Sequence, residues 1–174
     1  PDTISYTLIV YKAGKVNGME REYYKSGKLK EESFYKNDTI NGVVKGYYEN
    51  GDLMAETPYT NGKMNGILKD YFGGNKLHTE SLFTNDTGNG FYRIYYESGA
   101  LDAEYNIVHG NLNGIAKHYY ENGTLMDETP YINGDINGEA KQYYINGKLK
   151  SVTTFVNGAS GVVTKYDKDG NQIK

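Results

Sequence analysis

Apolar and polar positions alternate with a period of two over short runs. An Asn-Gly pair interrupts each run before a helical spacing can extend past a turn or two. Val43 to Tyr48 reads as one strand and Leu53 to Thr60 as the next, with Asn50-Gly51 between them as a two-residue hairpin turn. Asn61-Gly62-Lys63-Met64-Asn65-Gly66 then turns into the following unit. The arrangement repeats. Asn-Gly returns at Asn17-Gly18, Asn41-Gly42, Asn65-Gly66, Asn89-Gly90, Asn113-Gly114 and Asn137-Gly138, each a step of 24 residues, and a seventh step falls one residue short at Ser160-Gly161. Tyr23, Tyr47, Tyr71, Tyr95, Tyr119 and Tyr143 hold one phase of this period. Leu29, Leu53, Leu77, Leu101, Leu125 and Leu149 hold another, and Tyr35, Tyr59, Phe83, Ile107, Tyr131 and Phe155 close the repeats. A period of this length marks stacked supersecondary units, none of which buries its apolar face alone.

Charge tests the register. With Asn50-Gly51 as the turn, Lys45 faces Glu56, and the same rule opposes Arg21 to Glu32, Lys69 to Glu80, Arg93 to Glu104 and Lys117 to Glu128. The sixth hairpin sets Lys141 opposite Val152. Each opposite-charge pair contributes only about 0.2–1 kcal/mol, so the recurrence carries the inference rather than the size. Exchanging Lys69 and Glu80 is therefore expected to be nearly neutral. Alternation puts Tyr48, Leu53 and Tyr59 on one face, and Val43, Lys45, Tyr47, Met54 and Glu56 on the other. Both faces mix rings with polar groups, as in a sheet wet on two sides.

The expected fold is all-β: an elongated single-layer antiparallel meander of about six 24-residue β-hairpin repeats. It forms a single repeat domain over residues 1–174, with a partial unit at 1–16, six repeats at 17–160 and a partial C-terminal cap at 161–174. Thr3 to Tyr11 reads as the closing strand of the truncated first unit, because Tyr11 is in phase with Tyr35.

Composition agrees with that picture and removes several functions. Nineteen tyrosines in 174 residues suit pleated, half-wet surfaces, and 22 glycines suit many turns. Mean hydropathy is −0.72, yet the aromatic content is too high for a disordered chain. Nineteen basic residues against 22 acidic ones give a net charge of −3, which argues against nucleic acid as a partner and weighs against an anionic membrane surface. Cysteine is absent, so disulfides and thiolate metal sites are excluded. No run approaches the ~18 apolar residues of a membrane-spanning helix. The chain opens Pro1-Asp2-Thr3, which reads as a trimmed N-terminus.

Candidate chemistry is sparse. His78, His109 and His118 show no metal-ligand spacing, and no P-loop, nucleophile elbow or dinucleotide glycine motif occurs. The glutamates Glu32, Glu56, Glu80, Glu104 and Glu128 stand two strands apart, ~9–10 Å, which is too far for a retaining pair of carboxylates. Asp135-x-Asn137-Gly138-Glu139 and Asp167-x-Asp169-Gly170-Asn171 place glycine too early for a calcium loop and read as turns. No catalytic, cofactor or metal residue is therefore expected, and the chain is not expected to be an enzyme.

The unit Asn-Gly-x4-Tyr-Tyr-x2-Gly-x-Leu-x2-Glu-x2-Tyr-x-Asn-Gly, best kept from Asn41 to Gly62, resembles the variant MORN repeat of bacteria. The resemblance covers the chain from Tyr11 to Gly170 and implies a MORN-like ribbon. It also implies a protein-binding role, since such proteins are often grouped as YwqK-like antitoxins. The chain departs from the pattern at Gly73-Gly74-Asn75, at Tyr105-Asn106-Ile107-Val108-His109, and at Val152, where the glutamate is missing. On this resemblance the expected function is a non-enzymatic protein–protein interaction module, the antitoxin or immunity component of a toxin–antitoxin pair. The alternatives are a structural or cell-surface spacer or adhesin and, with less support, a membrane-lipid binder. The partner is expected to be a protein and the chain a monomer. Its compartment would be cytoplasmic for an antitoxin, or periplasmic or surface-exposed if a signal was trimmed before Pro1.

A near-perfect array offers the same surface at every repeat, so specificity is expected where the pattern breaks. Phe91, Tyr92 and Tyr105 add aromatic bulk at positions that are smaller or aliphatic elsewhere, and make the candidate partner-binding centre. The regular tyrosines Tyr47, Tyr71, Tyr95 and Tyr119 extend it, with packing as their competing role.

Overall fold

The structure, a computed structural model, describes residues 4–173, with side chains from Thr7 onward. Pro1-Asp2-Thr3 of the expected first unit and Lys174 of the expected cap lie outside the described residues. The protein is all-β, its pairings are antiparallel, and no α-helix occurs among the described residues. The chain divides into two units, residues 1–87 and 88–174.

In unit one, Ile4–Leu8 pairs with Gly18–Tyr24, which pairs in turn with Leu29–Lys36. Gly42–Tyr47 and Leu53–Thr60 form the next hairpin, and Gly66–Phe72 and Lys76–Thr84 the third. Unit two repeats the scheme. Thr87–Tyr95 pairs with Leu101–Val108, Gly114–Tyr119 with Leu125–Ile132, and Gly138–Tyr143 with Leu149–Val156. Ala159–Tyr166 follows against Leu149–Val156. Neither unit carries a second layer, so burial is thin. Ala103, Ala116, Ser33, Thr79 and Ser81 are buried, and among the described residues no large side chain is fully enclosed.

The charge pairs fall where the sequence places them, by a different turn. Lys45 faces Glu56, Arg21 faces Glu32, Lys69 faces Glu80, Arg93 faces Glu104 and Lys117 faces Glu128. The turn at Asn50-Gly51 is longer than two residues. The Tyr48 amide donates to the Asp52 carbonyl, the Gly51 amide donates to the Tyr48 carbonyl, and Gly51 takes φ +99°. Three residues therefore loop out, in the arrangement that ends on a left-handed glycine. That slips the register by one, and a bulge between Gly46 and Tyr47 slips it back. The two shifts cancel beyond the bulge.

The bulge changes the faces locally. Leu53 is the direct partner of Tyr47 instead of sharing a face with Tyr48. Met54 comes beside Gly46, where its Cε lies 3.1 Å from the place a Cβ would occupy. Lys45 and Tyr47 define one face of every repeat, here the ladder face, and Gly46 and Tyr48 define the other, the trough face.

The recurring Asn-Gly pairs at the 24-residue step are not turns. The tight turn lies just upstream, at Asn61-Gly62, Asn133-Gly134 and Asn157-Gly158, with both residues at positive φ as a type I′ turn demands. Two residues of strand follow, Lys63–Met64 paired with Tyr59–Thr60, before Asn65-Gly66 interrupts the strand. There the Asn65 amide donates to the Pro58 carbonyl, and Gly66 sits at φ +123° with Pro58 Cγ 3.0 Å from any added Cβ. Only glycine combines that backbone with that approach. The asparagine side chains bind one repeat to the next: Asn17 Nδ2 donates to Asn37 Oδ1 at 2.9 Å, and Asn113 Nδ2 to Asn133 Oδ1 at 3.2 Å.

Candidate functional site

The ladder face carries three parallel rows. The central row alternates in charge across the strands, because four of its glutamates face a cation on both sides. Glu32 pairs with Arg21 and Lys45, Glu56 with Lys45 and Lys69, Glu104 with Arg93 and Lys117, and Glu128 with Lys117 and Lys141. Lys141, opposite Val152 in its own hairpin, reaches Glu128 at 3.6 Å instead. This second neighbour overturns the expected neutrality of exchanging Lys69 and Glu80, since a glutamate at 69 would then face Glu56.

Beside that row run the tyrosines. Tyr47 donates its hydroxyl to Glu32 at 3.0 Å, Tyr71 to Glu56 at 2.8 Å, Tyr119 to Glu104 at 3.0 Å and Tyr143 to Glu128 at 2.8 Å. Burial, followed by the glutamate bond, pushes each of these four phenols up to about 12. Tyr95 holds the same place, half-buried and paired with Leu101. The second tyrosines work on the other face: Tyr48 donates to the Tyr71 carbonyl, Tyr96 to the Tyr119 carbonyl and Tyr120 to the Tyr143 carbonyl. The tyrosine hydroxyls thus stitch repeat to repeat.

The third row of the ladder face is apolar and open. In unit one it holds Phe34, Val43 and Ile67, 42%, 46% and 42% exposed, with Pro58 and Leu82 opposite Val43 and Ile67. In unit two it holds Ile115, 52% exposed and opposite Pro130, and the half-buried Phe91, opposite Asn106.

The three aromatics of the candidate centre do not form one patch. Phe91 lies on the ladder face with the Arg93 guanidinium 4.7 Å over its ring. Tyr92 and Tyr105 are cross-strand partners on the trough face, their rings stacked 5.7 Å apart. Tyr105 leads into an arrangement the sequence reading missed. Its hydroxyl lies 2.7 Å from His118 Nε2, and His118 Nδ1 lies 2.8 Å from Asp127 Oδ1. The signal was available: His118 and Asp127 are cross-strand partners in the same register that pairs Lys117 with Glu128. The chain has the order hydroxyl, imidazole, carboxylate, but burial raises the Tyr105 pKa, with Asp102 adding to it, which is the wrong direction for a nucleophile.

The same trough-face row differs in each hairpin. It reads Glu22 opposite Glu31, Gly46 opposite Ala55, Asp70 opposite Thr79, Ile94 opposite Ala103, His118 opposite Asp127 and Gln142 opposite Ser151. Glu31 is held above the usual carboxylate range, first by burial and then by Glu22. Among the described residues no cluster of histidines and carboxylates could hold a metal ion.

A repeat of hairpins with an Asn-Gly bulge, a tyrosine ladder and a charge ladder defines a class of stacked-hairpin protein. The chain belongs to the MORN repeat variant family, whose model matches residues 16–37, 40–61, 112–133 and 136–157, just over half of the chain. The unmatched stretch between the second and third of these contains the irregular Gly73-Gly74-Asn75 turn and the extra aromatics. No curated protein matches the chain.

Proposed function

We propose that the chain is a non-enzymatic protein–protein interaction module, and that its partner is a toxin it neutralises as the antitoxin or immunity component of a pair. One observation carries the interaction reading: the exposed apolar row Phe34, Val43 and Ile67 on the ladder face of unit one. Contiguous apolar surface of that kind marks interaction sites in water-exposed proteins. The charge row beside it supplies a polar border that would orient a partner without adding much affinity. Ile115, 52% exposed, offers the same feature in unit two, where Phe91 is half-buried with Arg93 over its ring, while Tyr92 and Tyr105 would engage a partner only from the other face.

The test is co-expression with the protein encoded by the adjacent gene, read as growth and as a complex on size exclusion. The expected result is restored growth and co-elution, both lost in the double variant Phe34→Asp, Ile67→Asp at unchanged melting temperature. A complex without growth rescue would remove the antitoxin role and keep the module. A complex untouched by the double variant but lost with Tyr92→Ala, Tyr105→Ala would move the interface to the trough face.

A further inference from the structure

The trough face of unit two holds a concavity of about 390 Å³ that the partner surface does not use. Its polar edge is one register row. Asp127 faces Gln142, Gln142 faces Ser151, and Ser151 faces Lys165, so four polar side chains cross four neighbouring strands at ~4.8 Å steps. The next row along the strands, Thr129, Ala140 and Thr153, is low and makes the floor. Phe155 stands on the far side as an aromatic wall.

The edge is organised before any ligand arrives. His118 holds Asp127 through Oδ1 at 2.8 Å, and Tyr105 braces His118 from behind. The Ser151 hydroxyl donates to Gln142 Oε1 at 3.2 Å, which turns the amide so that its NH2 group is available to a ligand. The concavity thus offers, in order, a carboxylate acceptor, an amide donor, a hydroxyl and an ammonium.

We infer that this concavity binds a neutral polyhydroxylated ligand, a sugar of one or two rings. The alternation of acceptor and donor decides the class. Each hydroxyl of a polyol both donates and accepts, so consecutive hydroxyls can satisfy Asp127, Gln142, Ser151 and Lys165 in turn. An anion would meet Asp127 and a cation would meet Lys165, so either is matched at one end only. An extended peptide binds sheets through an unpaired edge, and the strands beneath this floor are paired on both sides. The apolar side of a sugar ring lies against Phe155. The volume sits at the low end of the ~300–1,000 Å³ of small-ligand sites, and the open side makes the affinity weak, on the order of millimolar. The corresponding row in unit one, Glu22, Glu31, Gly46, Ala55, Asp70 and Thr79, has no such donor–acceptor order.

The experiment is an amide-resolved NMR titration of the whole chain with glucose, cellobiose, maltose and chitobiose. At least one sugar is expected to give saturable shifts centred on Thr129, Ala140, Gln142 and Thr153. Gln142→Ala, at an exposed position where folding is spared, should weaken binding about tenfold, and Phe155→Leu by a similar factor. Asp127→Asn should weaken it while the unit-one variant Glu56→Gln leaves it unchanged. The inference fails if no sugar gives saturable shifts, or if the shifts spread equally to Ser33, Thr57 and Ser81 in unit one. It fails also if Gln142→Ala and Phe155→Leu, both folded, bind as the parent does. Failure here leaves the ladder-face reading intact, because the exposed row that carries it, Phe34, Val43 and Ile67, does not line the concavity.

Discussion

Two rows of side chains cross the same strands one residue apart and have entirely different characters. On the ladder face, Lys45–Glu56 and its equivalents repeat the same opposite charges in five hairpins. On the trough face, the adjacent position runs from two facing glutamates, Glu22 and Glu31, to the pair His118 and Asp127. Backbone, register and strand spacing are shared, so the difference belongs to the side chains alone. The row that repeats holds the array together through tyrosine and cation contacts to Glu32, Glu56, Glu104 and Glu128. The row that varies is left to carry whatever distinguishes one repeat from another. Uniformity marks the central ladder row as scaffold, and divergence at constant geometry sets the trough-face row apart as the one that can form a distinct site in one unit only.

That comparison depends on both rows sharing one register, and the bulge glycines set it. Gly66→Ala should be the most damaging single change considered. It forces a Cβ to within 3.0 Å of Pro58 at a backbone angle that side chains avoid, at a cost of about 2 kcal/mol or more. Gly73→Ala has nothing within 4 Å and no positive φ, and should be close to neutral. Urea midpoints compare the two. Equal effects would mean that the bulge does not govern the register.

A smaller effect tests whether the ladder row is the structural one. Removing the Tyr119 hydroxyl as Tyr119→Phe deprives Glu104 of a donor and should cost about 1 kcal/mol. The same bonds set the alkaline limit. Four tyrosines are raised from 10 to about 12 in the folded chain, so their neutral forms favour the fold. Their contribution is complete below pH 10 and is lost as pH rises from about 10 to 12. Chemical denaturation at pH 8, 10 and 11 should show a flat region and then a fall, shallower in Tyr119→Phe. A stability that declines equally in both would remove the phenol–glutamate bonds as its cause.

The smallest effect should reverse sign between the rows. Glu31 is raised above 4.5 by burial and by Glu22, so the fold favours its protonated form. Its contribution is full below 4.5 and is lost as pH rises through the folded value, which leaves a net cost at pH 7. Glu31→Gln should therefore stabilise by a few tenths of a kcal/mol at pH 7 after solvent screening, whereas Glu56→Gln should destabilise by a similar amount. Thermal melts at pH 7 decide. Two changes of the same sign would erase the distinction between the rows.

Much of this was legible in the chain because repetition averages out local ambiguity. Six copies of one spacing identify hairpins, and five charge pairs identify a register, where a single hairpin would have left both open. The turn at Asn50-Gly51 was misread for a physical reason: a three-residue loop followed by a bulge gives the same far register as a two-residue turn with none. The recurring Asn-Gly was misread similarly, since the left-handed angle that a turn needs is also what a bulge packed against proline needs. Tyr92 and Tyr105 are cross-strand partners on one face, and Phe91 was grouped with them although neighbouring residues on a strand face opposite ways. His118 and Asp127 each look unremarkable in sequence and gain meaning only as cross-strand partners.

The sequence by itself determined the class of fold, the repeat length and the pairing of charges, because these follow from local conformational preference and from a pattern repeated at a fixed step. Only the tertiary structure decided which tyrosine hydroxyl meets which carboxylate, and where a bulge exchanges Leu53 with Met54. It alone placed Asp127, Gln142, Ser151 and Lys165 in one row. These are relations between residues that only strand pairing brings side by side, and a one-residue slip would reverse every one of them.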